Sequence, residues 1–164
     1  MDKKICDSFK SETIEAVTSV FDMMAGVEIQ QKGIVSSDSN EVKGDVSGII
    51  GLSSDHVKGS IAISFQEGLA KEVVANMLGM TANEISEEEI KDGIGEIANM
   101  VAGDINNKMG NLFKISLPSV ILGKRHSVSL SHDGDAVIMT FMAFNDEFHI
   151  IGNFEEIKNS KEEE

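Results

Sequence analysis

Helical and extended patterns do not alternate regularly along this chain. Residues 8–25 carry apolar side chains at helical spacing, and three extended segments follow them. Two further helical segments, at 67–78 and 87–109, then precede three more extended segments. A doubly wound parallel sheet needs strands that alternate with helices, so this order favours long helices packed on a mostly antiparallel or mixed sheet. The sequence therefore predicts an α+β fold with a six-stranded sheet in a single domain.

Capping and turn signals set the limits of these elements. Two capping boxes, which begin at Thr81 and Ser86, place a helix start just before residue 87. Pro118 falls inside an extended segment and indicates an edge or a bulge there. The pair Asn145-Asp146 predicts a tight turn between the last two strands. The extended segments cover 27–35, 45–52, 57–65, 113–123, 135–144 and 147–154.

The two halves of the chain resemble each other. DMMAGVEI at 22–29 is similar to NMVAGDIN at 99–106, and each stretch lies late in an amphipathic helix that precedes three strand candidates. This order predicts two pseudo-repeated halves, although chance agreement between two helices is the alternative. In a true repeat, Ser19 and Asp22 occupy the places that Glu96 and Asn99 hold in the second half.

The charge balance is strongly acidic, with 14 basic against 28 acidic side chains and a formal net charge of −14. Nucleic-acid binding is disfavoured because a phosphate backbone requires a basic surface. No window reaches the roughly 20 apolar residues that a membrane helix needs, so no membrane insertion is expected. The first residues show no signal-peptide pattern, and a lone cysteine, Cys6, allows no internal disulfide. A cytoplasmic location is the simplest expectation.

One domain is expected to cover residues 1–157, followed by an acidic, solvated C-terminal tail at 158–164. The four histidines are scattered, and none has metal-ligand spacing with the single cysteine. No metal or other cofactor is therefore expected to be bound by this chain.

The helix predicted at 87–109 has two distinct faces. One is an apolar stripe typical of a helix that packs on a core, formed by Ile90, Ile94, Ile97, Val101, Ile105 and Met109. The opposite stripe is small and polar rather than basic, and it contains Asp92, Glu96, Asn99, Gly103 and Asn106. Glu96 and Asn99 are three residues apart, so their side chains are expected to project side by side into solvent.

A carboxamide beside a carboxylate can perform a limited chemistry. The amide of Asn99 both donates and accepts hydrogen bonds, so it can hold a water molecule in a fixed direction, but it cannot act as a base. The carboxylate of Glu96 can pair with a lysine of a partner. This combination suits attack of water on a phosphoryl group that is already reactive, where orientation and charge dominate. For the pair taken alone, a merely solvated helix face is the alternative.

The stretch EIANMVAGDINNKM resembles the signature helix of the CheC/CheX/FliY family, phosphatases of the bacterial chemotaxis response regulator CheY. Glu96, Asn99, Ala102 and Gly103 match its Glu-x-x-Asn motif and the small residues that follow. VFDMMAGVEI in the first helix resembles the opening of CheX proteins more loosely. CheC proteins carry two such motifs, so a single motif on the later long helix is the CheX pattern. The first-half counterpart is expected to be inactive.

The resemblance implies a phosphatase that hydrolyses the phosphoaspartate of a CheY-like response regulator, in chemotaxis or a related two-component pathway. Asn99 would orient the attacking water, and Glu96 would pair with the regulator's lysine. The regulator would supply its own Mg²⁺. The resemblance also implies a homodimer joined through sheet edges. The residues expected to contact the regulator besides the catalytic pair are Asp92, Met100, Gly103 and Asn106.

Two other classes of function are compatible with the same residues. One is a CheX-like module that binds a response regulator or signalling partner without catalysis. The other is a structural or sensory domain in which the polar face of the helix is only solvated. Dephosphorylation and binding assays separate the three.

Overall fold

The computed structural model of the chain describes residues 3–37, 41–130 and 136–158. It shows three α-helices and seven strands, which confirms the predicted α+β class but adds one strand to the expected six. Apart from Lys158, the predicted C-terminal tail lies outside the described residues. The elements are α1 (Lys3–Ala25), β1 (Gln30–Ser37), β2 (Glu41–Ser53), β3 (Val57–Phe65), α2 (Glu67–Leu78), a 3₁₀ turn (Ala82–Glu84), α3 (Glu87–Lys108), β4 (Lys114–Ile115), β5 (Ser119–Ser129), β6 (Ala136–Ala143) and β7 (Asp146–Glu156).

The strands form one antiparallel sheet in the order β1-β6-β7-β3-β2. The outer edge of β2 is shared by two strands: β5 pairs along Glu41–Ile49, and β4 pairs with Leu52 and Ser53. The predicted antiparallel arrangement is therefore confirmed. The predicted pseudo-repeat and homodimer stay predictions, and β1 and β5 are the outer strands available for pairing between copies.

The additional strand arises because the segment predicted as one strand at 113–123 is interrupted. Pro118 has no backbone N–H to donate to a neighbouring strand, and it lies between β4 and β5. The chain is held to β2 through Ser116, whose N–H donates to the Gly51 carbonyl at 2.9 Å. The Gly51 N–H in turn donates to Ser116 Oγ at 2.8 Å. Residues 116–118 therefore form a fixed link between β4 and β5 beside α3.

Helix α3 packs closely against β2 and against α2 because a glycine lies at each of these contacts. A Cβ at Gly48 of β2 would lie 2.8 Å from the Cβ of Ala98, and one at Gly93 would lie 2.6 Å from Val74 of α2. Both distances are shorter than real Cβ contacts allow, so side chains at these positions would push the elements apart. The missing side chains let α3 pack tightly against β2 and α2.

Stacked phenylalanine rings join α1 to the same core. Phe148 of β7 stacks on Phe21 of α1 with ring centroids 5.0 Å apart, on Phe65 at 5.1 Å and on Phe141 at 5.5 Å. All four side chains are fully buried. Aromatic pairs at such distances stabilise a core beyond the area they bury. The rings thus fix α1 on the sheet, where it also contacts α3.

The caps and turns mostly follow the sequence signals. Helix α2 has the predicted limits, and Gly79 after it has a left-handed φ of 65°. The Ser86 capping box forms at the start of α3, with Ser86 Oγ accepting from the Glu89 N–H at 3.2 Å. The turn between β6 and β7 begins one residue earlier than predicted, because Phe144 and Asn145 are its central residues, with φ values of 50° and 65°. Two positive φ values are typical of a type I′ hairpin turn.

Asp45 of β2 connects the start of α2 to β5. It lies opposite an irregularity in β5, where three residues, 123–125, face this one residue of β2. Its Oδ1 accepts from the Arg125 N–H and its Oδ2 accepts from the Glu67 N–H, both at 2.9 Å. These two hydrogen bonds favour the ionised carboxylate and hold the pKa of Asp45 below its ordinary value. The carboxylate thereby caps α2, whose N-cap residue Gln66 makes no side-chain capping bond.

Across the described ranges, none of the helices combines the length and the apolarity needed to cross a membrane.

Candidate functional site

The central turns of α3 present Glu96 and Asn99 to solvent, as the helix periodicity predicts. Their flanking residues Ile97 and Ala98 are buried against the core, which fixes the rotation of the helix. The side chains of Glu96 and Asn99 form no hydrogen bond or ion pair with another residue in the described part of the chain. A carboxylate and an amide without internal partners are free to bind an external group.

Two surface grooves meet at Asn99. The first, named here the α3–β5 groove, has a volume of about 770 Å³ and runs between α3 and residues 117–120. Asp92 and Glu96 lie along its helix side, and Gly95 is at its base. The groove therefore places a carboxylate pair beside the amide of Asn99.

The second groove, named here the α1–α3 groove, has a volume of about 600 Å³. Met100 and Gly103 of α3 line it from one side, and Ser19 and Met23 of α1 line it from the other. A Cβ built at Gly103 would meet no other atom within 4 Å. Gly103 thus leaves open space rather than making room for another part of the chain.

Asn99 and Leu117 border both grooves. Leu117 is 88% exposed, although its backbone is fixed by the Ser116 contacts with β2 and by Pro118. Ser116 Oγ also donates to the Leu117 carbonyl at 3.0 Å. The fixed backbone therefore presents an apolar side chain to solvent in the same two grooves as the amide of Asn99.

The expectation that Asn106 lies on this exposed face is wrong. Asn106 is only 7% exposed, and its side chain is hydrogen-bonded to the segment that follows α3. Its Nδ2 donates to the Phe113 carbonyl, and its Oδ1 accepts from the Phe113 N–H, both at 2.9 Å. Asn106 lies at the edge of the polar stripe, where the returning chain covers it, so its role is structural.

The other predicted contact residues do border the grooves. Asp92 is exposed in the α3–β5 groove, while Met100 and Gly103 are half-buried in the α1–α3 groove. Their contact with a partner stays a prediction. Sequence reasoning missed Leu117 and Met23 as groove residues. Pro118 signalled the interruption next to Leu117, but nothing local indicated that α1 lies beside α3.

The arrangement can orient a small polar molecule and neutralise a cation, but it offers few groups for other chemistry. Among the described residues, no three His, Cys, Asp or Glu side chains are grouped so that they could hold a metal ion. The site contains the amide of Asn99, the carboxylates of Asp92 and Glu96, the ammonium group of Lys91 and apolar side chains. Such a surface suits a reaction whose reactive groups are brought by a partner.

Comparison with known protein families identifies the family of this chain. The family model described as "Chemotaxis phosphatase CheX" matches residues 46–142, which include α3 and the link at 116–118. A comparison with curated proteins gave no match.

Solved structures agree with the family match. The chemotaxis protein CheX from Vibrio vulnificus is 34% identical, with a TM-score of 0.80 and coverage of 90% of this chain and 99% of that one. A CheC-like superfamily protein from Shewanella sp. PV-4 is 33% identical, with a TM-score of 0.82 and coverage of 90% and 97%. A CheX–CheY–BeF3–Mg²⁺ complex from Borrelia burgdorferi shares the fold at 24% identity, with a TM-score of 0.74 and coverage of 90% and 98%. The chain belongs to the CheX family of chemotaxis phosphatases.

Proposed function

We propose that this protein hydrolyses the phosphoaspartate of a CheY-like response regulator and so ends its signal, in chemotaxis or a related two-component pathway. The observation that carries the proposal is the exposed pair Glu96 and Asn99, whose side chains have no partner among the described residues, with Asn99 at the junction of two grooves. The Borrelia burgdorferi complex supports the choice of partner, because it contains a CheX protein together with CheY.

In this proposal Asn99 enters the phosphorylation pocket of the regulator and orients the attacking water. Its amide oxygen accepts a hydrogen bond from the water, and its NH₂ group donates to a neighbouring acceptor. The water oxygen forms a new bond to phosphorus as the bond between phosphorus and the aspartate oxygen breaks. The aspartate leaves as a carboxylate, and the proton lost from water ends on the released phosphate.

Asn99 contributes position rather than basicity. An acyl phosphate has a good leaving group, so correct placement of water supplies most of the acceleration that this chain can provide. The Mg²⁺ that neutralises phosphoryl charge belongs to the regulator. Glu96, one turn away, pairs with the regulator's lysine and so fixes the orientation in which the two proteins meet.

The first test measures the decay of a phosphorylated CheY-like regulator in the presence of Mg²⁺ and catalytic amounts of this protein. We expect wild-type protein to accelerate the decay and Asn99→Ala to reduce the rate by about a hundredfold, since misplacement of the water costs that order of rate. Glu96→Gln should chiefly raise KM. Asn83→Ala and Glu88→Gln are matched controls, because both residues are exposed and border neither groove.

Thermal unfolding must accompany these rates. An exposed position on α3 should change the free energy of unfolding by less than about 0.5 kcal/mol, so the variants stay folded. Equal activity of wild type and Asn99→Ala would refute the role of the amide. Binding of the regulator without any acceleration by wild type would refute the phosphatase proposal and favour a non-catalytic CheX-like module.

A further inference from the structure

The most exposed large apolar side chains in the described ranges lie in one place. Leu117 is 88% exposed and Met23 is 65% exposed, and both line the α1–α3 groove that adjoins Asn99. They come from sequence positions far apart: Met23 is on α1, and Leu117 is in the link between β4 and β5. The fold therefore brings two apolar side chains together in water beside the proposed reaction point.

The backbone at Leu117 is held in place, and this fixed backbone is what exposes the side chain. Three hydrogen bonds fix Ser116 and the Leu117 carbonyl. The ring of Pro118 fixes the φ angle of the residue that follows Leu117. The side chain gains no burial within its own chain. Apolar side chains fixed in solvent beside a concave surface are typical of protein contact sites.

The floor of the same groove is kept open. Gly103 stands in the interior of α3, where glycine is unfavourable relative to alanine, and its missing side chain makes room for nothing in this chain. An external group would fill the space. The groove thus has apolar side chains beside polar ones such as Ser19, Asp104 and Asn107, and Gly103 leaves it open.

We propose that the α1–α3 groove holds an apolar side chain of the regulator's receiver domain, next to its phosphoaspartate, and that Leu117 and Met23 enclose it. This inference rests on the proposed function, because a phosphoryl group presented to Asn99 places the regulator's neighbouring surface over both grooves. The α3–β5 groove, which Lys91 also lines, offers two carboxylates, Asp92 and Glu96, to the regulator's cationic groups, and the α1–α3 groove supplies the apolar contact. The apolar contact sets affinity and the choice of regulator, whereas Asn99 sets the rate of hydrolysis.

The test separates KM from kcat, with a CheY-like receiver domain phosphorylated by acetyl phosphate as the probe. We expect Leu117→Asp and Met23→Asp to raise KM about tenfold, as apolar contacts at the centre of an interface do, with kcat changed by less than about twofold. Asn99→Ala should lower kcat with little change in KM. Leu78→Asp is the matched control, because Leu78 is 50% exposed at the end of α2 and borders neither groove.

Each outcome decides the proposal. If wild type is active and both groove variants have the KM of wild type, this inference is overturned and the phosphatase proposal stands. If wild type shows no activity, the phosphatase proposal fails, but binding of the same receiver domain still tests the groove. Weaker binding by Leu117→Asp than by wild type would support the groove as a contact site. Equal binding by both proteins, or no binding by either, would overturn it. If Leu117→Asp has the KM of wild type but a different molecular mass in sedimentation, the occupant of the groove is a second copy of this chain, and the proposal is overturned.

Discussion

The substitution Gly103→Ala should make the protein more stable and a poorer phosphatase at the same time. Glycine in a helix interior is less favourable than alanine by about 0.8–1.0 kcal/mol. At Gly103 no opposing cost arises, because an added Cβ meets no atom within 4 Å. The free energy of unfolding should therefore rise by about 1 kcal/mol, which corresponds to an increase in Tm of about 2–4 °C for a domain of this size.

The same methyl group projects into the α1–α3 groove, where it occupies space that the regulator is proposed to fill. We expect KM for the phosphorylated regulator to rise severalfold, with kcat retained. Urea denaturation measures the first effect, and regulator decay at varied concentrations measures the second. Gly68→Ala is the matched control, because Gly68 is exposed in the first turn of α2 and an added Cβ there also meets nothing within 4 Å.

Gly68→Ala should stabilise the protein without changing KM. A loss of stability in Gly103→Ala would refute the argument from open space at this position. A gain of stability with unchanged KM would show instead that the groove floor has no role in binding.

Two further predictions concern the parts of the fold that hold the site. Asn106→Ala should lower the free energy of unfolding by about 2–4 kcal/mol, because it leaves the buried N–H and C=O of Phe113 without partners. Urea denaturation measures this loss. A loss under about 0.5 kcal/mol would contradict the structural role of Asn106. Asp45 has a lowered pKa in the folded state, so its stabilising contribution is present above its unfolded pKa of about 3.9 and is lost as pH falls through the folded value. Asp45→Asn should therefore flatten the loss of stability below about pH 4, measured as Tm against pH, and an unchanged acid slope would exclude this linkage.

The sequence predicted best what depends on neighbours along the chain. Helix α2 begins and ends where the apolar spacing and Gly79 place it, and the Ser86 capping box marks the start of α3. The exposure of Glu96 and Asn99 followed from periodicity alone, because both lie opposite the apolar stripe of one helix. Such features need no knowledge of distant contacts.

The errors concern features that tertiary packing decides. Asn106 belongs to the polar stripe by periodicity, yet the chain at Phe113 returns to cover it and supplies its hydrogen bonds. The strand β5 extends to Ser129, beyond the predicted end at residue 123, because pairing with β2 holds a polar segment that lacks clear alternation. The groove beside Met23 exists only because α1 packs against α3.

The fixation of α3 at both ends has a consequence for hydrogen exchange. The helix has 22 residues, a length of about 33 Å, and is secured by the capping box at Ser86 and by the clamp of Asn106 on Phe113. Fraying from either end is opposed, so amides near Asn99 should exchange through global rather than local opening. We therefore expect the site to keep one shape, so that any rearrangement needed for the proposed reaction would take place in the regulator.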